Sequence, residues 1–300
     1  MNLFWPVYKN LEKELLKITE IIHFDDKQIE CYSAKFIDLL IRICVEIESL
    51  SKQLYLQEGG TKLEENKMYF DTVCLKYLED KYNLSQKVLY VKNLNTFFES
   101  QENIEITPLK KSYKRGTSGS KWKVAYQGVK HDRINNYTKA NVKNVILALG
   151  ALFILNLYYK NQTFEIENSL DAEKFDDSIG SDFFIVKVNK DTTSLGQKIK
   201  DDITCIYYLH LREDIRRNFE EEQKKLSVEL IKKICADKKI IQAINDGKIT
   251  IDNMFEDYPK KIIEIIGIEG WGKYLTTAKA SHNIGKMIDE RKFVAYINKG

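Results

Sequence analysis

Apolar residues fall at alternating four- and three-residue steps through Phe36, Leu40, Ile43, Ile47, Leu50 and Leu54, a spacing that puts all six on one seam of a helix. The pattern predicts about 28 helical residues, ending before Gly59 and Gly60, with Glu48 and Lys52 able to pair one turn apart on the surface. Before it, Pro6 followed by Leu11, Leu15, Ile18 and Ile22 predicts a shorter amphipathic helix, since proline is tolerated in a first turn. After it, Phe70, Val73, Cys74, Tyr77 and Leu78 predict a third helix that stops at the turn residues Asn83 and Ser85.

Between Lys87 and Ser120 the periodicity weakens, and Pro108 with the run Gly116 to Ser120 (GTSGS) reads as an exposed basic loop. Helical spacing resumes near Lys121, with Trp122, Tyr126 and Val129 on a buried stripe and Lys123, Gln127, Lys130 and His131 on a second, polar one. Asn135 to Thr138 supplies turn and cap residues for a helix from Lys139 to Tyr159 that contains the uninterrupted apolar run Val145 to Leu155. Within that run Gly150 marks a place where another helix approaches closely.

Beyond Asn161 the stretch EIENSLDAEKFDDSIGSD is acidic and serine-containing, and it is the best candidate linker. Phe183–Val188 and Thr204–Leu211 carry the aromatic and β-branched residues of strands, joined by a connection containing Gly196. The chain is then helical again from Arg212: a charged helix, one from Val228 to Ile244 broken at Gly247, one near Asp252 to Ile266, and a final basic segment through Lys299. The fold class expected is mostly α: an N-terminal helical bundle over 1–165, a linker and small β-hairpin over 166–211, and a C-terminal helical region over 212–300.

Composition changes this picture little, with one exception. At 300 residues and 43% hydrophobic content the chain can bury a sizeable core, and 47 Lys and Arg against 44 Asp and Glu leave a net charge of only +3. The positive charge is nevertheless concentrated: Lys110, Lys111, Lys114, Arg115, Lys121, Lys123, Lys130 and Arg133 lie in a stretch whose single acid is Asp132. Five widely spaced cysteines, no CxxC pair and an N-terminus without a signal-peptide pattern suit reduced thiols in a cytoplasmic protein. The eleven-residue apolar run falls short of the roughly 20 that span a bilayer, so no membrane association is expected. Nor does any zinc spacing, Walker loop or GxGxxG occur, and no metal or cofactor is expected.

The densest chemistry is Tyr126, Gln127, Lys130, His131, Asp132 and Arg133, directly ahead of the most apolar segment. An imidazole between two cations suits proton transfer beside a phosphate; equally, His131 could be a structural residue bonded to Tyr126 or to Glu46. The loop cations Lys110, Lys111, Lys114, Arg115, Lys121 and Lys123, with Gln127, are candidate nucleic-acid contacts, with Tyr113 and Trp122 placed to stack on bases. A solvated basic loop is the plainer alternative. His210 near Arg212, Arg216 and Arg217, and His282 in KASHNIGK, read as a strand end and a chain reversal.

VEIESLSKQLY (Val45 to Tyr55), YQGVKHDR (Tyr126 to Arg133) and LNLYY (Leu155 to Tyr159) together resemble the HEPN (higher eukaryotes and prokaryotes nucleotide-binding) domain over roughly the first half of the chain. The resemblance implies a helical, usually dimeric module. Many of its members are metal-independent RNases of toxin and phage-defence systems that use an arginine and, after four to six residues, a histidine. It places His131 at the histidine; Val124, Ala125 and Tyr126 stand where the arginine is called for. Two functions follow as expectations: a homodimeric RNase with His131 as acid–base and Lys130 and Arg133 on the phosphate, or a non-catalytic dimerisation or partner-binding module.

Overall fold

A computed structural model describes residues 3–92, 96–191, 201–250 and 259–300. Three helical segments open the chain: α1 (Phe4–Thr19), α2 (Ala34–Gln57), and a π-helical turn (Phe70–Leu75) that runs into α3 (Lys76–Tyr82). The short elements β1 (Leu89–Val91), α4 (Gln101–Ile104) and β2 (Glu105–Ile106) follow, then α5 (Lys121–His131), α6 (Arg133–Asn136) and α7 (Val142–Lys160). The remainder is β3 (Phe164–Ile166), α8 (Ser169–Glu173), β4 (Phe184–Val186), β5 (Val188–Asp191), β6 (Tyr207–Leu211), α9 (Glu213–Ala236), α10 (Lys238–Asn245), α11 (Lys260–Thr277), α12 (Lys279–Asp289) and β7 (Phe293–Ile297). The fold is mostly α.

The pair α2–α7 is the spine, because both helices bring long apolar surfaces to each other. All six seam residues of α2 are fully buried, and Ser33 starts the helix by accepting the Phe36 N–H at 3.2 Å. On α7 the apolar surface runs all the way round, so the helix is enclosed by α1, α2 and α5 together with β1 and β4. It is the one helix among the described residues long and apolar enough to cross a membrane, and 83% of its apolar window is buried inside the protein. Its cap is Asn141, accepting the Asn144 N–H at 3.0 Å, rather than the Asn135–Thr138 segment; Asn135 and Asn136 instead close the short α6 on Asp132.

The acidic stretch expected to be a linker is packed against this core at its end. Ser178, Ile179, Ser181 and Phe183 are buried, and the buried Glu12 of α1 accepts the Phe183 N–H at 3.2 Å and the Ser181 hydroxyl. A carboxylate at that depth needs donors, and this segment brings them. A smaller core of Leu230, Ile234, Ile240, Ile262 and Ile266 joins α9, α10 and α11, with Gly267 (φ 80°) turning the chain inside α11. The expected helix start at 252–258 lies outside the described residues, as does Gly196.

Two small sheets flank the helices. Their orders are β2-β1-β4 and β3-β7-β6-β5. The two expected strand runs do not form a hairpin: of Phe183–Val188 only Val188 lies beside the second run, at the start of β5, which pairs with β6 in parallel register (Val188 opposite Tyr207). β4, from the first of those runs, instead pairs antiparallel with β1. The basic final segment holds α12, with His282 inside it rather than at a chain reversal, and then β7, which lies between β3 and β6.

Gly150 is a site of close approach, although the neighbour is not a helix. A Cβ built on it meets Pro108 Cγ at 2.9 Å and Leu89 Cδ1 at 3.2 Å, so the loop before α5 and strand β1 lie against α7 here. Gly150→Leu is expected to cost on the order of 1 to 3 kcal/mol in urea denaturation through overpacking, despite leucine's better helix propensity. A mutant with the parent's midpoint would show that the loop yields without cost.

Candidate functional site

Helix α5 carries most of the candidate residues. Trp122, Tyr126 and Val129 form the expected buried stripe, each at most 2% exposed. The Trp122 indole N–H donates to the Pro108 carbonyl at 2.9 Å, which fixes the ring under the loop and removes it from any role in base stacking. Tyr113 is also engaged: it packs against the main core, with the Lys76 and Lys114 ammonium groups over its ring.

Lys123 departs furthest from expectation. It is buried rather than presented with Gln127 and Lys130, and its ammonium donates to Asp71 at 3.1 Å, to the Ser112 carbonyl at 2.8 Å and to the Lys114 carbonyl. Arg115 donates to the same carboxylate at 3.1 Å while lying 4.0 Å from the centre of the Tyr69 ring. For Asp71, burial pushes the pKa up, but the Thr72 N–H and the Lys123 and Arg115 cations outweigh it and hold the group below its ordinary value. For Lys123, burial wins over the attraction of Asp71, and its pKa lies below that of an ordinary lysine. The cluster therefore fastens the basic loop to the π-helical turn, and the partners of Lys123 and Arg115 are within the protein.

At the other end of α5, His131 is exposed, and its Nε2 lies 3.1 Å from the Gln127 amide oxygen. With Nε2 donating to that oxygen, Nδ1 is left to take a proton. Neither Tyr126 nor Glu46 holds the ring. The Tyr126 hydroxyl accepts from the Lys130 ammonium at 3.2 Å, and its pKa is raised by burial and then by the Glu48 carboxylate. Lys130 and Arg133 are exposed, and neither has a carboxylate within ion-pair distance among the described residues. Asp132 separates the two helices by accepting the Asn135 N–H at 3.3 Å.

Around α5 lie three adjoining cavities of about 750, 550 and 540 Å³, all touching Thr117. The largest has Gln127, the hydrogen-bond partner of His131, and Gly128 in its wall. Lys110, Lys111, Lys121 and Lys139 line these cavities, exposed and without a carboxylate partner among the described residues. Lys114 is exposed on the same loop. Of the sequence-derived contacts, the structure thus gathers Lys110, Lys111 and Lys121 around one cavity. It withdraws Lys123 and ties Arg115 to Asp71.

Sequence reasoning missed Asp71, Tyr69, Lys139 and Ser120, which line the same cavities. Asp71 carries no local signal, since its cationic partners lie more than forty residues away. Ser120 did carry one, a serine directly before a helical run. No family model, curated protein or solved structure matches this chain.

Proposed function

We propose that the protein is an RNA-binding, metal-independent endoribonuclease that acts at the exposed end of α5. The observation that carries this reading is the environment of His131: a solvent-facing imidazole, oriented by Gln127 and flanked in sequence by Lys130 and Arg133, with Gln127 lining a cavity that Lys139 also lines. In the reaction, Nδ1 takes the proton of a 2′-hydroxyl, O2′ bonds to the adjacent phosphorus as the bond from phosphorus to the 5′-oxygen breaks, and the departing 5′-oxygen takes a proton from water. Lys130 and Arg133 neutralise the charge that builds on the phosphoryl oxygens. The resemblance to HEPN domains points the same way and suggests a homodimer. The direct test is cleavage of single-stranded RNA by the purified chain, with and without chelator; a folded protein that cleaves no RNA overturns the enzymatic part.

A second reading, a non-catalytic dimerisation or partner-binding module, has its own support. Ile134 is 82% exposed immediately after the polar cluster, and Tyr137 packs edge-on against Tyr32, both rings exposed. An apolar group beside His131 suits a contact with a second copy. The motif arginine is also missing.

If the protein binds RNA, the loop surface contacts phosphates. Changing Lys110, Lys111, Lys114 and Lys121 together to Gln is expected to weaken RNA binding and to flatten the dependence of log K on log salt by about 0.7 for each phosphate no longer neutralised. Folding should be unaffected, since none of the four ammonium groups has a carboxylate partner among the described residues. An unchanged slope assigns the loop to solvation.

A further inference from the structure

We propose that the N-terminus of α5 is a phosphate-binding site, in which the first-turn N–H groups and the Ser120 hydroxyl bind phosphate oxygens and Lys121, Lys110 and Lys111 supply the countercharge. The proposal deepens the RNA reading, yet stands or falls separately from it.

Two independent observations meet here. First, α5 is an eleven-residue helix whose first turn contains no acid. A helix cannot pair its own first N–H groups, and its N-terminal end carries partial positive charge, so these groups remain available to an anion. Second, Ser120 is 6% exposed, lines the 540 Å³ cavity, and its hydroxyl is a buried polar atom with no hydrogen-bond partner. A buried hydroxyl left unpaired is destabilising, and at an N-cap it would ordinarily close on the helix, as Ser33 does for α2. A ligand oxygen in the cavity gives it a partner after a rotation about χ1.

The surroundings select the charge of that ligand. Lys110, Lys111, Lys121 and Lys143 line the cavity with Glu102 and Glu105. Glu102 is already paired with Lys143 at 3.3 Å, and Glu105 accepts from the Gln101 amide at 3.2 Å. Lys110, Lys111 and Lys121 are left without a carboxylate among the described residues. Gly119 lets the loop fold back under the helix end: a Cβ there would stand 2.8 Å from the Lys114 carbonyl oxygen. The same oxygen accepts from Lys123, so the Asp71 cluster holds the rear of the site.

Phosphate could arrive as the free ion or as one diester of an RNA strand, and the test separates them. In the full-length 15N-labelled protein, inorganic phosphate should shift the amides of residues 120–123 saturably. Ser120→Asp puts a carboxylate where the ligand oxygen would sit and completes the helix cap; it should weaken phosphate by about tenfold or more while thermal stability stays at or above the parent's. If a short single-stranded RNA loses affinity in the same variant, the ligand is a phosphodiester. If phosphate binding is lost while RNA binding is unchanged, the site takes free phosphate and the RNA reading must find its contacts elsewhere. Absence of saturable shifts at 120–123, or a Ser120→Asp protein that binds phosphate as the parent does, overturns the proposal.

Discussion

His131→Ala is expected to lower RNA cleavage by at least about a hundredfold, the usual share of a general acid–base group, with folding and RNA affinity nearly unchanged. The fold should tolerate the change because the ring is exposed and Gln127, to which it is hydrogen-bonded, is itself partly open to water. Gln127→Ala should produce a smaller loss, by freeing the ring to rotate, and Lys130→Ala or Arg133→Ala should slow turnover by removing charge from the transition state. Chelators should have no effect on a mechanism of this kind. Activity that survives undiminished in His131→Ala removes the residue from the chemistry. Loss of dimerisation in Ile134→Asp with no nuclease activity in the parent would move the weight to the binding-module reading.

Asp71→Ala should be the most destabilising single change in the site, on the order of 3 to 5 kcal/mol in urea denaturation, because the buried Lys123 ammonium is deprived of its carboxylate while staying enclosed. Its remaining partners are the Ser112 and Lys114 carbonyls, which bear no full charge. The dependence on pH follows from the direction of the shift. Asp71 has a folded pKa below its unfolded one, so its contribution is fully present above the unfolded carboxylate pKa and is lost as pH falls through the lower, folded value. In the parent, this part of the acid sensitivity should vanish with Asp71→Asn. A loss below about 1 kcal/mol in Asp71→Ala would mean that water reaches Lys123 and does the work of the carboxylate.

The sequence pattern revealed whatever was decided by neighbours along the chain. The seam of α2 was legible because a helix brings residues three and four apart onto one face, and the stripe Trp122, Tyr126 and Val129 was legible for the same reason. Lys123 was not: its helical face placed it beside Gln127, but Asp71, from another element, offered a charge and drew it inward. Short strands gave little signal. β1 is three residues long, and the alternation of β7, with Phe293, Ala295 and Ile297 inward, was hidden behind flanking lysines. The acidic, serine-containing linker failed for a different reason, since the Ser181 hydroxyl, which helps the segment read as solvated, is a donor to the buried Glu12. As for His131, the sequence located the cluster but could not say whether the ring was enclosed.

The position of β7 bears on how the molecule comes into being at the ribosome. β3 and β6 are both synthesised before the strand that joins them, and although β6 can pair with β5, β3 cannot take its place in the sheet until Phe293–Ile297 has appeared. Throughout the synthesis of everything between Ile166 and Phe293, the emerging chain holds Phe164 and Ile166 without their cross-strand partners, although α1, α2 and α7 can already associate. Closing so long a loop is slow, and strands waiting for it are where chains stick to one another. Nascent protein should therefore depend on chaperones more than its helical content would suggest. A ribosome stalled shortly before Phe293 should display a collapsed helical bundle with an open sheet beside it.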